Sequence, residues 1–271
     1  MSTGRYSMSD QSFKNQWFWL CGSSSGIGFA VAEEMAKNGA NLILMALSEE
    51  KLQKAKLKLM KYSGEVTTVV MDIADPWSER RISELLGGNK LHGVLLNGGG
   101  PHGANALQVK AEDLHKAHNL LLAGPVMLLH SLLPHLEDKS SIVAITSTTV
   151  KEPNPDLVLS AVYRTGLTVY LKHLSDDLGK RGIRINQVAP GFTGTERLEE
   201  LAQHVAKNRF GENTPDNRTR IQQAWKEVAT LKRIAAPEEI AHVCRFLLSD
   251  ESSFITGQTI VADGGQVRGY F

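Results

Sequence analysis

The stretch that decides the fold runs Trp17-Phe-Trp-Leu-Cys-Gly-Ser-Ser-Ser-Gly-Ile-Gly28, and the amphipathic pattern of residues 29–38 follows it. A short apolar run leading into Gly-x-x-x-Gly-x-Gly is typical of a buried strand that turns into a helix where the backbone approaches a phosphate. We expect Gly22 to turn the chain, Gly26 to leave room for a pyrophosphate, and Gly28 to let the helix pack on the strand. The helix N-terminus attracts the anion. A dinucleotide is the expected ligand, and an ordinary tight turn is the alternative.

Length and composition indicate one soluble α/β domain. With 271 residues, 42% hydrophobic and 22% charged, the chain can bury a full core. A net charge of +1 gives no long-range field for nucleic acid or a membrane. We find no run of 18 apolar residues and no signal peptide, so a cytoplasmic location is expected. Cys21 and Cys244 suggest neither a disulfide framework nor a metal site.

Strands and helices alternate after the first unit. Residues 1–14 are polar and without periodicity, which predicts a flexible tail before a single domain at 15–271. Apolar runs at 41–45 and 66–71 predict strands on either side of a Lys-rich helix at 49–62. This rhythm predicts parallel strands with right-handed crossovers.

The end of the second strand, Ala46-Leu47-Ser48, is where such a fold meets the adenosine ribose. An acid there would favour NAD, and a nearby Arg would favour NADP, but the stretch has neither. Because Ser48 can donate to a phosphate that no acid repels, we expect NADP to be preferred over NAD. An altered cofactor site is the alternative.

Two further polar positions follow strands. Asp72, after the third strand, can bond the adenine edge or cap a helix before Pro76. The apolar run 91–96 predicts a fourth strand, and it ends in Asn97-Gly98-Gly99-Gly100-Pro101-His102. These glycines again expose backbone at the expected ligand crevice.

With these motifs, the chain resembles the short-chain dehydrogenase/reductase superfamily. The first glycine turn is similar to its T-G-x-x-x-G-I-G, with Cys21 in place of Thr, and Asn97-Gly98-Gly99 is similar to its N-A-G. Later matches are Asn186, the Pro190-Gly191 turn, residues 233–241 and residues 256–265. The resemblance covers residues 15–265. It implies a Rossmann-type three-layer α/β sandwich, with a seven-stranded parallel sheet in the order 3-2-1-4-5-6-7 and three helices on each face.

The resemblance also implies functional residues. The expected cofactor-binding residues are Gly22, Ser24, Ser25, Gly26, Ile27, Ser48, Asp72, Ile73, Asn97, Gly98, Gly99, Arg164, Pro190, Gly191, Thr193 and Thr195. In a predicted helix at 105–133, Asn119 aligns with an Asn that interrupts the helix and holds a proton-relay water. After a fifth strand at 141–146, Ser147 aligns with the serine that bonds a substrate carbonyl. Read without the family, Asn119 is a solvated side chain and Ser147 a loop residue.

The chain departs from the family at its central motif, Y-x-x-x-K, which it lacks. In the predicted helix 157–180, Ser160 takes the Tyr position and Arg164 the Lys position, and Ser147 precedes Ser160 by the family's usual interval. In this pair the chain resembles a divergent subgroup of the superfamily, similar to β-ketoacyl-carrier-protein reductases, in which Ser and Arg replace Tyr and Lys. An aliphatic hydroxyl is a poor acid compared with a phenol beside an ammonium. Arg164 can hold ribose hydroxyls but does not relay protons.

Two other residues are candidate proton donors. Tyr163 follows Ser160 by three residues, roughly on the same side of the helix, although a Tyr there also suits helix or subunit packing. His102, in the loop after the fourth strand, is the other candidate because imidazole commonly transfers protons. The expected activity is NAD(P)-dependent reduction of a carbonyl or oxidation of an alcohol with atypical residues. The alternative is a catalytically silent dinucleotide sensor or interaction protein.

A polar segment at about 192–234 follows the sixth strand and predicts a lid over the substrate. Its excess of basic residues suits an anionic or carrier-bound substrate, or simply a solvated helix face. These residues are Lys207, Arg209, Arg218, Arg220 and Lys226. The resemblance implies a homodimer or homotetramer, joined through the helices at 105–133 and 157–180.

Overall fold

The fold was obtained as a computed structural model that describes residues 12–62, 64–75 and 79–269. The strands are β1 (Trp17–Cys21), β2 (Asn41–Ala46), β3 (Val66–Val70), β4 (Leu91–Leu96), β5 (Leu136–Ile145), β6 (Arg184–Pro190) and β7 (Thr259–Ala262). The helices are α1 (Gly26–Lys37), α2 (Glu49–Leu59), α3 (Glu79–Leu86), α4 (Ala111–His118), α5 (Gly124–Leu132), α6 (Val158–Leu178), α7 (Glu196–Phe210), α8 (Pro215–Val228) and α9 (Pro237–Leu248).

The strands form one parallel sheet in the order β3-β2-β1-β4-β5-β6-β7, which confirms the predicted topology. Strand β1 is apolar throughout because both of its faces are covered. Phe18 and Leu20 belong to the core that α1, α2 and α9 cover. Trp19 and Cys21 face the core formed with α3, α5 and α6. Helices α7 and α8 form a separate apolar cluster beyond the strand ends.

The prediction of a flexible tail over residues 1–14 is wrong for Phe13. Phe13 is 2% exposed and packs edge-on against Phe18, with ring centroids 5.1 Å apart. The Phe13 N–H also donates to the Asn38 carbonyl. An isolated aromatic in a polar segment has no periodicity to reveal it, since its partners come from elsewhere in the chain. Residues 1–11 lie outside the described residues.

Two predicted elements differ from the structure by more than small shifts at their ends. Strand β5 begins at Leu136, before the predicted residue 141, because Leu136 pairs with Leu91 ahead of an irregular polar stretch. The predicted helix 105–133 is divided into α4 and α5 by one π turn, Asn119–Ala123. Over the described residues, the helical stretch Ala111–His135 is long and apolar enough to cross a membrane by length and composition alone. Its Leu128, Leu129 and Leu132 are instead buried against the sheet.

Candidate active site

A cleft of about 620 Å³ lies at the carboxyl ends of β1 to β6. Every residue predicted to bind the cofactor lines it, from Ser48 and Asp72 at one end to Arg164 at the other. Its size suits a small-molecule site, since such sites enclose about 300–1,000 Å³. The parallel strands account for this convergence, because their carboxyl ends meet at one edge of the sheet.

The glycine turn has the backbone that its sequence predicts. Gly22 and Gly26 have φ of +57° and +56°, a region that side chains disfavour. A Cβ on Gly28 would overlap the Gly22 carbonyl, so close packing of α1 on β1 requires glycine there. Ser25 is the N-cap residue of α1, and its side chain makes no capping hydrogen bond, which leaves the helix N-terminus available to an anion. Backbone, space and charge therefore fit a dinucleotide pyrophosphate.

Two side chains, the half-buried Asn97 and the buried Ser23, hold this turn in place. The Asn97 Nδ2 donates to the Gly22 carbonyl at 3.2 Å. Ser23, which was not among the predicted site residues, is fully buried. Its Oγ donates to the Leu20 carbonyl at 2.8 Å and accepts from the Met45 N–H at 3.2 Å. Ser23 thus ties the turn to β2, and its place inside the glycine motif was the available signal.

At the adenosine end, local hydrogen bonds order the lining residues. The Ser48 Oγ accepts from the Lys51 N–H at 3.2 Å and caps α2. The Asp72 Oδ1 accepts from the Ala74 N–H at 2.9 Å, so this carboxylate closes a turn after β3. Lys51 also lines the cleft, and its Nζ lies 2.6 Å from Glu196 Oε2 of α7. This lysine was not among the predicted site residues, although it lies one helical turn after Ser48.

At the other end, three predicted catalytic residues come together: Ser147, Ser160 and Arg164. The Arg164 Nε donates to Ser160 Oγ at 3.2 Å, and Nη1 donates to the Ile145 carbonyl at 2.7 Å. Nη2 donates to the Gly99 carbonyl at 3.4 Å. Burial, reinforced by the nearby charge of Arg197, lowers the pKa of Arg164 to about 10. The guanidinium therefore remains protonated near neutral pH.

Three other candidate residues lie outside the cleft lining. Tyr163 packs against the cluster that includes Leu159, and its ring centroid is 5.9 Å from that of His118. His102 lies 3.5 Å from a carboxylate oxygen of Asp113. Asn119 begins the π turn, which confirms the predicted helix interruption, but its exposed side chain contacts His118. The structure thus separates Tyr163 and His102 from the reacting end, and the water-holding role of Asn119 stays a prediction.

Helices α7 and α8 occupy the predicted lid segment and bring Arg197 to the cleft wall, where it donates to the Pro101 carbonyl. The five basic residues noted in this segment do not line the cleft. Arg209 pairs with Asp156, and Arg218 with Glu199. Three of the five are exposed and two, Arg218 and Lys226, are half-buried, so their placement favours the alternative of solvated helix surfaces.

The sheet order, the glycine turn and the cleft define a dinucleotide-binding protein of the Rossmann class. The chain belongs to the short-chain dehydrogenase/reductase superfamily, since the family described as enoyl-(acyl carrier protein) reductase matches residues 22–266. The match and the relatives below support an NAD(P)-dependent reductase of this family, as the sequence motifs predicted.

Individual relatives agree with this assignment. The 3-oxoacyl-[acyl-carrier-protein] reductase FabG of Thermotoga maritima is 30% identical over 255 residues, which span 92% of this chain and 96% of the relative. Tropinone reductase-like 3 of Erythroxylum coca is 28% identical over 246 residues, 90% of each chain. The L-sorbose reductase of Gluconobacter frateurii, complexed with NADPH and L-sorbose, superposes with a TM-score of 0.86 at 27% identity, covering 96% of this chain and 99% of that one.

Proposed function

We propose that this protein is an NADP(H)-preferring oxidoreductase that reduces a small carbonyl compound, or oxidises the corresponding alcohol, with a Ser–Arg pair in place of Tyr and Lys. One observation carries the proposal: Arg164 bonds Ser160 inside the cleft that also holds Ser147 and the dinucleotide turn. The similarity to a 3-oxoacyl-carrier reductase extends the candidate substrates to carrier-bound ones. A cytoplasmic location goes with this role.

Each residue has a role in this proposal. A bound nicotinamide dinucleotide supplies or accepts the hydride. Ser147 donates to the substrate carbonyl oxygen. The Ser160 Oγ accepts from Arg164, so its own hydrogen is available to the substrate oxygen. Arg164 holds ribose hydroxyls with its remaining N–H groups, and its fixed charge stabilises the oxygen as negative charge develops on it.

We propose NADP over NAD because the Ala46-Leu47-Ser48 stretch presents a hydroxyl and no carboxylate to the ribose. Helices α7 and α8 act as the substrate lid. The cleft lining also includes Leu157, Phe192 and Leu201, which give the reacting carbonyl an apolar space.

Binding and turnover are tested separately. Titration with NADPH and NADH, followed by reduced-nicotinamide fluorescence, is expected to show binding of both; binding of neither at millimolar concentration would refute the dinucleotide site. With a simple ketone or a 3-oxoacyl thioester and NADPH, we expect weak turnover. Ser160→Ala is expected to lower it about tenfold or more, as loss of a proton donor does. Ser83→Ala, an exposed site on α3, is the matched control and should change nothing.

A second candidate is a catalytically silent dinucleotide-binding protein. It is favoured by the aliphatic hydroxyl of Ser160 at the donor position and by the packing of Tyr163 against His118, away from the cleft. NADPH binding without oxidation of NADPH by any carbonyl probe would identify this case. Turnover that falls in Ser160→Ala would exclude it.

We also expect a homodimer or homotetramer. The outer faces of α5 and α6 expose Met127, Val162 and Val169, and the two valines are two helical turns apart. An apolar stripe of this kind is costly in water and suits a two-fold contact between helices. Light scattering is expected to report a dimer or tetramer, and Val169→Asp to shift it towards monomer. A wild-type monomer at all concentrations would contradict this.

A further inference from the structure

The ion pair between Lys51 and Glu196 spans the adenosine end of the cleft. It joins the first turn of α2 to the first turn of α7, two segments 145 residues apart. Both residues line the cleft, and their atoms are 2.6 Å apart. The proximity of Glu196 raises the pKa of Lys51, which therefore remains charged. A cation and a carboxylate thus lie in contact with each other at this end of the cleft, close to Ser48.

This position is where a ribose 2′-substituent is recognised. Ser48 follows β2, at the point where this class of fold meets the adenosine ribose. Its Oγ accepts from the Lys51 backbone N–H, so the lysine extends from the same helix terminus. The other cations lining the cleft, Arg164 and Arg197, contact Gly99 and Pro101 near the reacting end. Among the described lining residues, Lys51 is the cation placed to meet a 2′-phosphate.

We propose that Lys51 reads the 2′-phosphate of NADP(H) and that Glu196, from the lid helix, competes with that phosphate for Lys51. This inference rests on the proposed function and adds the residues that set cofactor choice. Binding of NADP(H) exchanges the carboxylate of Glu196 for the phosphate, so the first turn of α7 is released from α2. NADH leaves the pair intact. The choice of cofactor therefore decides whether α7, the helix proposed to cover the substrate, is held against α2.

The pair is suited to such an exchange. The Lys51 and Glu196 side chains are 48% and 71% exposed, and exposed ion pairs are weak. A phosphate dianion offers Lys51 a stronger charge-assisted hydrogen bond than one carboxylate does. The other carboxylates close to Lys51 are already engaged: the Asp72 Oδ1 accepts from the Ala74 N–H, Glu50 pairs with Lys54, and Glu200 pairs with Arg197. Glu196 is therefore the main opponent of a 2′-phosphate.

The test compares dissociation constants for NADPH and NADH in single variants, by fluorescence titration. Lys51→Gln is expected to weaken NADPH binding about tenfold or more, because a hydrogen bond to a charged group is lost. The dissociation constant for NADH should stay within about twofold of the wild-type value. Glu196→Gln is expected to strengthen NADPH about threefold, the size of an exposed pair, and again to spare NADH. Calorimetry with adenosine 2′,5′-bisphosphate and adenosine 5′-phosphate should repeat the pattern without the nicotinamide.

The matched control is Lys54→Gln. Lys54 lies one turn further along α2 and pairs with Glu50 at 2.5 Å, but does not line the cleft, so it should affect neither cofactor. When Lys51→Gln and Glu196→Gln are combined, the gain in NADPH affinity from Glu196→Gln should shrink, since Lys51 is no longer there to be freed. Equal weakening of both cofactors by Lys51→Gln would overturn the proposal. So would weaker NADH binding in Glu196→Gln, which would assign Glu196 to the ribose hydroxyls. If wild type binds neither cofactor, the proposed function itself fails.

Discussion

Ser160→Tyr combined with Arg164→Lys is expected to raise ketone reduction by about a hundredfold, the lower end of what a positioned general acid contributes. A phenol beside an ammonium is a far better proton donor near neutral pH than the serine hydroxyl that Arg164 now bonds at 3.2 Å. Ser160 lines the cleft, so the new ring extends into open space and not into the core. The measurement is kcat/KM with NADPH and a simple ketone.

Controls separate an effect on proton transfer from a loss of stability or of cofactor binding. The double variant loses the Arg164 hydrogen bond to the Ile145 carbonyl, so its Tm and NADPH affinity must be measured beside its rate. Tyr163→Phe and His102→Ala are expected to stay close to wild type, because neither side chain lines the cleft. If either substitution lowers kcat/KM a hundredfold, and Ser160→Tyr with Arg164→Lys harms the enzyme, that residue is the proton donor and reaches the substrate when ligands are bound. Strong wild-type activity indifferent to Ser160, Tyr163 and His102 would refute every version of the assignment.

Gly26→Val is expected to abolish binding of both NADPH and NADH. A Cβ at Gly26 would already lie 3.2 Å from the Thr195 Cγ2, and the two methyl groups of valine would fill the space left for the pyrophosphate. The φ of +56° adds a backbone cost of about 1–2 kcal/mol in the free energy of unfolding. Fluorescence titration measures the loss of binding, and thermal unfolding measures the loss of stability.

Gly87→Val provides the matched control for that variant. Gly87 has φ of +54°, almost the value at Gly26, and nothing lies within 4 Å of a Cβ placed there. We expect it to lose similar stability while binding NADPH as wild type does. Retained binding in Gly26→Val, or equal loss of binding in both variants, would show that the glycine turn does not hold the pyrophosphate.

The sequence by itself determined the sheet and the cofactor end of the cleft. Apolar runs and glycine spacing are local signals, and the parallel alternation of strands and helices brings all strand ends to one edge. For this reason Ser48, Asp72 and Asn97, which follow three different strands, were each predicted correctly to lie at the cleft. The Ser160–Arg164 pair was also readable, because four residues are about one helical turn.

Only the tertiary structure decided which side chains face the reacting end and which charges meet. Tyr163 and Arg164 are neighbours in sequence, but about 100° of helical rotation separates them, enough to direct one towards His118 and the other into the cleft. The contact of Lys51 with Glu196 joins residues 145 apart, which no local pattern encodes. Phe13 likewise enters the core through contacts supplied by other segments. Periodicity records which face of an element is buried, whereas the partner of a polar or isolated side chain is set by the packing of the whole chain.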